Sequence, residues 1–102
     1  FPFWLSPVQI AVLPINDQVL EYAGDVVKKL KDNGFRVEID DRNESIGKKI
    51  REAEMQKTPY LLIIGGKEAE AGTVAVRERG SGDKGQIKLA DFIKNIEKEN
   101  HS

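Results

Sequence analysis

Hydrophobic and polar positions divide the chain into alternating strand-like and helix-like segments. Val8, Ile10 and Val12 are apolar, and so are Ala11 and Leu13 between them. That near-continuous run predicts a strand buried on both faces, ended by Pro14. Val19, Ala23, Val26, Val27 and Leu30 then recur at helical spacing. Asn16 or Asp17 can cap this helix, and Asn33-Gly34 stops it. Phe35, Val37 and Ile39 alternate as a second strand. The next segment, "DDRNESIGKKIREAE", is almost all charge, yet Ile46, Ile50 and Ala53 fall on one helix face. Lys48, Lys49, Arg51 and Glu52 are expected on its solvated face, with Asn43 as N-cap and an end near Thr58-Pro59. "YLLII" predicts a third strand and "KEAE" one helical turn. "TVAVRER" predicts a fourth strand, with Val74 and Val76 on one side and Thr73, Ala75 and Arg77 on the other. "GSGDKG" reads as a turn and "QIKL" as a short fifth strand. Leu89, Phe92, Ile93 and Ile96 give a last amphipathic helix.

The connections set strand directions. Helical crossovers make the first three strands parallel. About seven residues separate the third strand from the fourth, too few for a parallel crossover, so that pair is expected to be antiparallel. A tight turn then returns the fifth strand. The expected fold is α/β: a three-layer α/β/α arrangement around a mixed five-stranded sheet, with strand four antiparallel to the rest.

Composition narrows the chemistry. The chain has 102 residues, enough for one modest core. It has no cysteine, which excludes disulfides and thiolate metal sites within it. Its single histidine is His101, so neither a zinc site nor a histidine-based triad can be assembled. The net charge of -1 argues against sequence-independent grip on phosphates, so any nucleic-acid role must rest on a local patch and on base contacts. No apolar run approaches the ~18 residues of a membrane span, and no membrane partner is expected.

Several residues can carry chemistry, each beside a plainer reading. "GGKEAEAG" follows a strand but does not match a phosphate-loop pattern, and reads as a turn. Asp40-Asp41 lie at the carboxyl edge, where a cation could sit, but also beside a helix N-terminus whose dipole they suit. Asn43 is either a helix cap or an amide that reads a base edge. Arg77 either covers the sheet with its stem or presents a planar fork to a carbonyl or phosphate. Glu68 is surface charge or an acceptor for base N–H groups. Lys48 and Glu52 have the spacing of an i,i+4 pair. On these grounds alone the chain is a small α/β binding module without a catalytic apparatus.

Three segments carry a resemblance: "WLSPVQ", "DDRNESIGKKIREAEMQKTPYLLIIGGKE" and "AGTVAVRER". They are similar to the C-terminal anticodon-binding domain of bacterial-type threonyl-tRNA synthetases, which are class II aminoacyl-tRNA synthetases. The likeness covers essentially the whole chain, and "DRNESIGKKIREAEMQKTPY" is its most specific part. It implies a mixed five-stranded sheet with three main helices. It implies a parent ligase that joins threonine to its tRNA using ATP, and that is homodimeric through its catalytic core. ATP, Mg²⁺ and Zn²⁺ would belong to that catalytic domain, and none of them to this chain. The expected partners are the anticodon loop of tRNA(Thr) and the parent's catalytic domain. The expected setting is the cytoplasm, with the isolated piece a monomer. Residues 1–6 would be the linker from the catalytic domain, 7–99 the anticodon-binding domain and 100–102 a frayed end. Threonine anticodons share a middle G and a last U, and the resemblance implies that Asn43, Glu68 and Arg77 read them. Lys48, Arg51 and Lys67 would meet the RNA backbone. The family often carries Asp where Gly66 stands, so charge beside Glu68 can differ. The alternative is a stand-alone paralogue or interaction domain without anticodon specificity.

Overall fold

A computed structural model describes residues 8–42, 44–79 and 82–100. The strands are β1 (Ile10–Pro14), β2 (Val37–Ile39), β3 (Tyr60–Ile64), β4 (Thr73–Glu78) and β5 (Gly82–Lys88). The helices are α1 (Leu20–Asp32), α2 (Ile46–Met55), α3 (Gly66–Ala71) and α4 (Leu89–Asn100). One mixed sheet runs in the order β2-β1-β3-β4-β5. β1 pairs in parallel with β2 and β3, and β4 pairs antiparallel with both β3 and β5. The reading of residues 1–6 as a linker lies outside the described residues, as do 101 and 102 of the end expected to fray over 100–102. Asn100 is the last residue of α4.

The pleat sorts the core into two unequal sides. Ile10, Val12, Leu62, Ile64, Val74 and Val76 point to one face, where Ala23, Val26 and Leu30 of α1 and Phe92 and Ile96 of α4 cover them. Tyr60 and Phe92 meet edge to face at 5.6 Å, the offset geometry that aromatic quadrupoles prefer. Ala11, Leu13 and Leu61 point to the other face. There they pack on Ala53 of α2, with Ile46, Ile50 and Ile63 half-buried beside them. The sheet therefore carries helices on both faces.

Several local features differ from the sequence reading. Ser45, not Asn43, caps α2: its backbone is extended and its Oγ accepts from the Lys48 N–H at 3.3 Å. Asn43 lies two residues too early for that bond, and its own placement lies outside the described residues. Lys49 is not on the solvated face. It stands three residues after Ile46, which puts it on the buried stripe, and it is 3% exposed. Its ammonium donates to the Pro14 carbonyl at 2.9 Å, which offsets part of the cost of burying the charge. β5 begins at Gly82 rather than at Gln86, so most of the expected turn is strand. Gly82 and Gly85 have φ of +78° and +84°, and the register shifts between Val76 and Arg77. This is a glycine-based bulge, which local sequence reads as a turn.

Candidate nucleic-acid interface

β-Strand pairing puts Arg77, one of the predicted readers, on the same side of the sheet as Gln86. In an antiparallel pair, residues directly opposite point to the same side of the sheet. Leu61 is opposite Arg77, and Ile63 is opposite Ala75, so Arg77 and Ala75 share the face that carries α2. Gln86 is opposite Ala75 and joins them. α2 packs over β1 and part of β3 and leaves the β4–β5 half open. Thr73, Ala75 and Arg77 are half-buried there, and Gln86 and Lys88 are exposed.

Glu68 closes one end of this open half. It lies in α3, and its Oε1 accepts from the Gly65 N–H at 2.7 Å. This is the returning half of a capping box, in which the third helical residue satisfies the N–H of the cap. Its Oε2 accepts from the Gln86 amide. The missing side chain at Gly65 permits this fold-back, since a Cβ there would stand 2.9 Å from Glu68 Oε1. Nothing lies within 4 Å of a Cβ built at Gly66, so Asp has room there and its absence is a difference of charge. Tyr22 of α1 donates its hydroxyl to the Thr73 carbonyl at 2.8 Å and ties the start of β4 in place. Burial, and then the Glu68 charge, push the Tyr22 phenol above its ordinary pKa.

Arg77 closes the other end. Its Nε meets Glu54 Oε1 of α2 at 3.3 Å. A cavity of about 190 Å³ adjoins it, lined by Glu54, Thr58, Leu61, Arg77, Glu78, Arg79 and Gly82. Arg77 lies two residues along β4 from Ala75, roughly 7 Å. Thus the Glu68 carboxylate, the Gln86 amide and the Arg77 guanidinium follow one another along one sheet surface.

The expected backbone contacts separate. Arg51 is exposed on α2, three residues before Glu54, and projects largely away from the sheet. Lys48 projects outward and pairs with Glu44 at 3.4 Å, not with Glu52. Glu52 is taken by Arg42, which also meets Asp40 at 2.8 Å. Arg42 thereby latches the end of β2 to α2. Hydrogen bonding to Arg42, more than its net charge, holds the Asp40 carboxyl below its ordinary pKa. The same bonds, with those to Glu52, raise Arg42 further above its own. Lys67 is exposed on α3, beside Glu68. Gln86 was missed by sequence reasoning, because its partner comes from α3 and its face depends on the bulge. Period-two alternation from Ala75 across a known register is the only signal that could have found it.

Known proteins resemble the chain over nearly its whole length. Threonine–tRNA ligase of Desulforamulus reducens is 60% identical over 97 residues, covering 95% of this chain and 15% of that protein. The ligase of Clostridioides difficile is 54% identical over 99 residues, covering 97% of this chain and 16% of that protein. The chain thus spans about 15% of the length of these curated relatives. Among solved structures, the RNA binding domain of threonyl-tRNA synthetase from Cryptosporidium parvum Iowa II superposes with a TM-score of 0.91 at 36% identity. That match covers 96% of this chain and 25% of the other. The sequence profile described as "Anticodon binding domain" matches residues 9–99, and the chain belongs to that family.

Proposed function

We propose that this chain recognises the anticodon of tRNA(Thr) as one domain of a threonine–tRNA ligase, whose catalytic domain attaches threonine using ATP. The reading rests on one observation above all. An acid and a guanidinium, Glu68 and Arg77, bound the two ends of the uncovered half of one sheet face, with Gln86 between them. The chain around them is 60% identical to a threonine–tRNA ligase. Unpaired loop bases are read on their Watson–Crick edges, which demands donors and acceptors fixed on a firm platform.

The chemistry suits the bases that all threonine anticodons share. Guanine presents two parallel donors, N1–H and N2–H, and a carboxylate offers two parallel acceptors. Adenine, cytosine and uracil each break that pattern with an acceptor. Glu68 therefore fits the middle G. Arg77 has five N–H groups, of which the Glu54 contact uses one, and it can donate to base carbonyls such as those of the last U. Asn43, at the entry to α2, supplies a mixed donor and acceptor edge in this reading. Arg51 and Lys67, both exposed, are the expected neutralisers of phosphates; Lys48, held by Glu44, has the weaker claim.

The test is a fluorescence titration of the chain with a GGU anticodon stem-loop and with full-length tRNA(Thr), against versions with the middle base changed. Arg77→Ala is expected to weaken binding roughly five- to hundredfold, by analogy with about 1–3 kcal/mol per bidentate base contact in DNA readout. Its melting temperature should barely move, since the lost Glu54 pair is exposed. Equal affinity for all middle bases would favour an interaction domain without anticodon specificity.

A further inference from the structure

Gln86 holds the Glu68 carboxylate from the strand side, while the Gly65 N–H holds it from the helix side. A carboxylate accepts in about four directions. These two bonds occupy one direction on each oxygen and fix the plane of the group. A glutamate side chain otherwise turns freely about its last torsion, which is broad and roughly two-fold. Two parallel acceptors can match guanine's two parallel donors only if that plane is fixed before the base arrives. Gly65 alone anchors one oxygen and leaves the other free to swing.

The location of Gln86 follows from the fold and not from chance exposure. Lys84 is the extra residue of the bulge in β5, between Asp83 opposite Arg77 and Gly85 opposite Val76, and Gln86 follows opposite Ala75. Ala75 is small, so nothing on β4 stands between Gln86 and the open surface. Gln86 makes no contribution to either apolar cluster. An exposed residue outside the core, bonded to the proposed base reader across two elements, has little else to hold.

We propose that Gln86 is a positioning residue for anticodon reading: its amide orients the Glu68 carboxylate and thereby sets the preference for guanine over bases that lack one of its two donors. This rests on the assignment of Glu68 to the middle G. The sensitive probe is inosine, which keeps N1–H and the carbonyl of guanine but lacks the N2 amino group.

The experiment measures the affinity ratio between stem-loops carrying guanine and inosine at the middle position, for the chain and for Gln86→Met and Gln86→Glu. Met keeps the length and loses the donor. Glu keeps the shape and sets a second negative charge against Glu68. The wild type should prefer guanine about tenfold. Gln86→Met should cut that ratio to about threefold, and Gln86→Glu should abolish it. Affinity for the inosine stem-loop should change little with Met, because a purely structural defect would weaken both stem-loops alike. An unchanged guanine-to-inosine ratio in both variants overturns the role of Gln86 and leaves the anticodon reading standing. So does a wild type that separates guanine from adenine but not from inosine. A wild type indifferent to every middle base overturns the anticodon reading itself, and this inference with it.

Discussion

The two faces of the sheet are built to different ends. Under α1 and α4 the face is closed: Val74, Val76, Leu62 and Ile64 are buried, and Phe92 seals them against Tyr60. Under α2 it is half open. The apolar cluster there has four buried residues, and beyond Ile63 the sheet carries Thr73, Ala75, Arg77 and Gln86. Both faces belong to the same strands, so alternation along β4 separates them residue by residue. Val74 and Val76 serve stability, and Ala75 and Arg77, one step away, are free to serve recognition. A small domain can in this way keep its larger apolar cluster under one face and still present a polar surface on the other. Sites held on strands are positioned more firmly than sites on loops.

The sharpest way to break this comparison is to empty the closed face. Phe92→Ala removes a fully buried ring and its contact with Tyr60, and is expected to cost about 3–5 kcal/mol. Ala75→Ser, on the open face, should fall within about 0.5 kcal/mol. Urea unfolding of both variants measures the contrast. Similar losses would mean that the open half is part of the core after all.

The next effect concerns how α2 is held in place. Arg42 bridges Asp40 and Glu52, and so joins the end of β2 to the helix that bounds the open surface. Asp40 has a folded-state pKa below the ordinary 3.8. A depressed carboxylate pKa contributes stability that is fully present above the unfolded value and is lost as pH falls through the folded value. Wild type should therefore be more stable than Asp40→Asn at pH 7, and the gap should shrink below about pH 4. Urea midpoints across that range test it; a gap that stays constant with pH would assign the difference to packing instead.

The same contrast explains what could be read from the chain. Buried strands and amphipathic helices announce themselves by period, and the strand directions followed from connection lengths; the spatial order, with β1 between β2 and β3, was not read from them. Lys49 was misread because its charge outweighed its position, although three residues after Ile46 is a core-facing step. Ser45 took the cap because capping depends on the dihedral angles of one residue, which composition does not specify. The bulge in β5 was hidden because glycines at positive φ serve turns and bulges equally. Within the site, the shared face of Ala75 and Arg77 was visible as alternation along a single strand. The Glu68–Gln86 bond was not, since it joins an α3 residue to β5 through a register set by that bulge.

The finest test acts on the boundary between helix and open surface. Glu54 holds Arg77 at 3.3 Å in the free chain, and both side chains are partly exposed, Arg77 at 39% and Glu54 at 47%. An exposed ion pair is worth about 0.2–1 kcal/mol, so releasing Arg77 from it should cost RNA binding about that much. Glu54→Gln keeps the shape of the side chain and removes the competing charge. It also takes a negative charge away from the path of an RNA backbone. Both effects act in the same direction, and binding of the GGU stem-loop should tighten about twofold, with unfolding free energy nearly unchanged. The gain should fade as salt is raised, because screening weakens interactions between exposed charges. Weaker binding in this variant would reverse the picture: Glu54 would then be holding Arg77 in the orientation that meets the base, and α2 would be part of the reading surface rather than its edge.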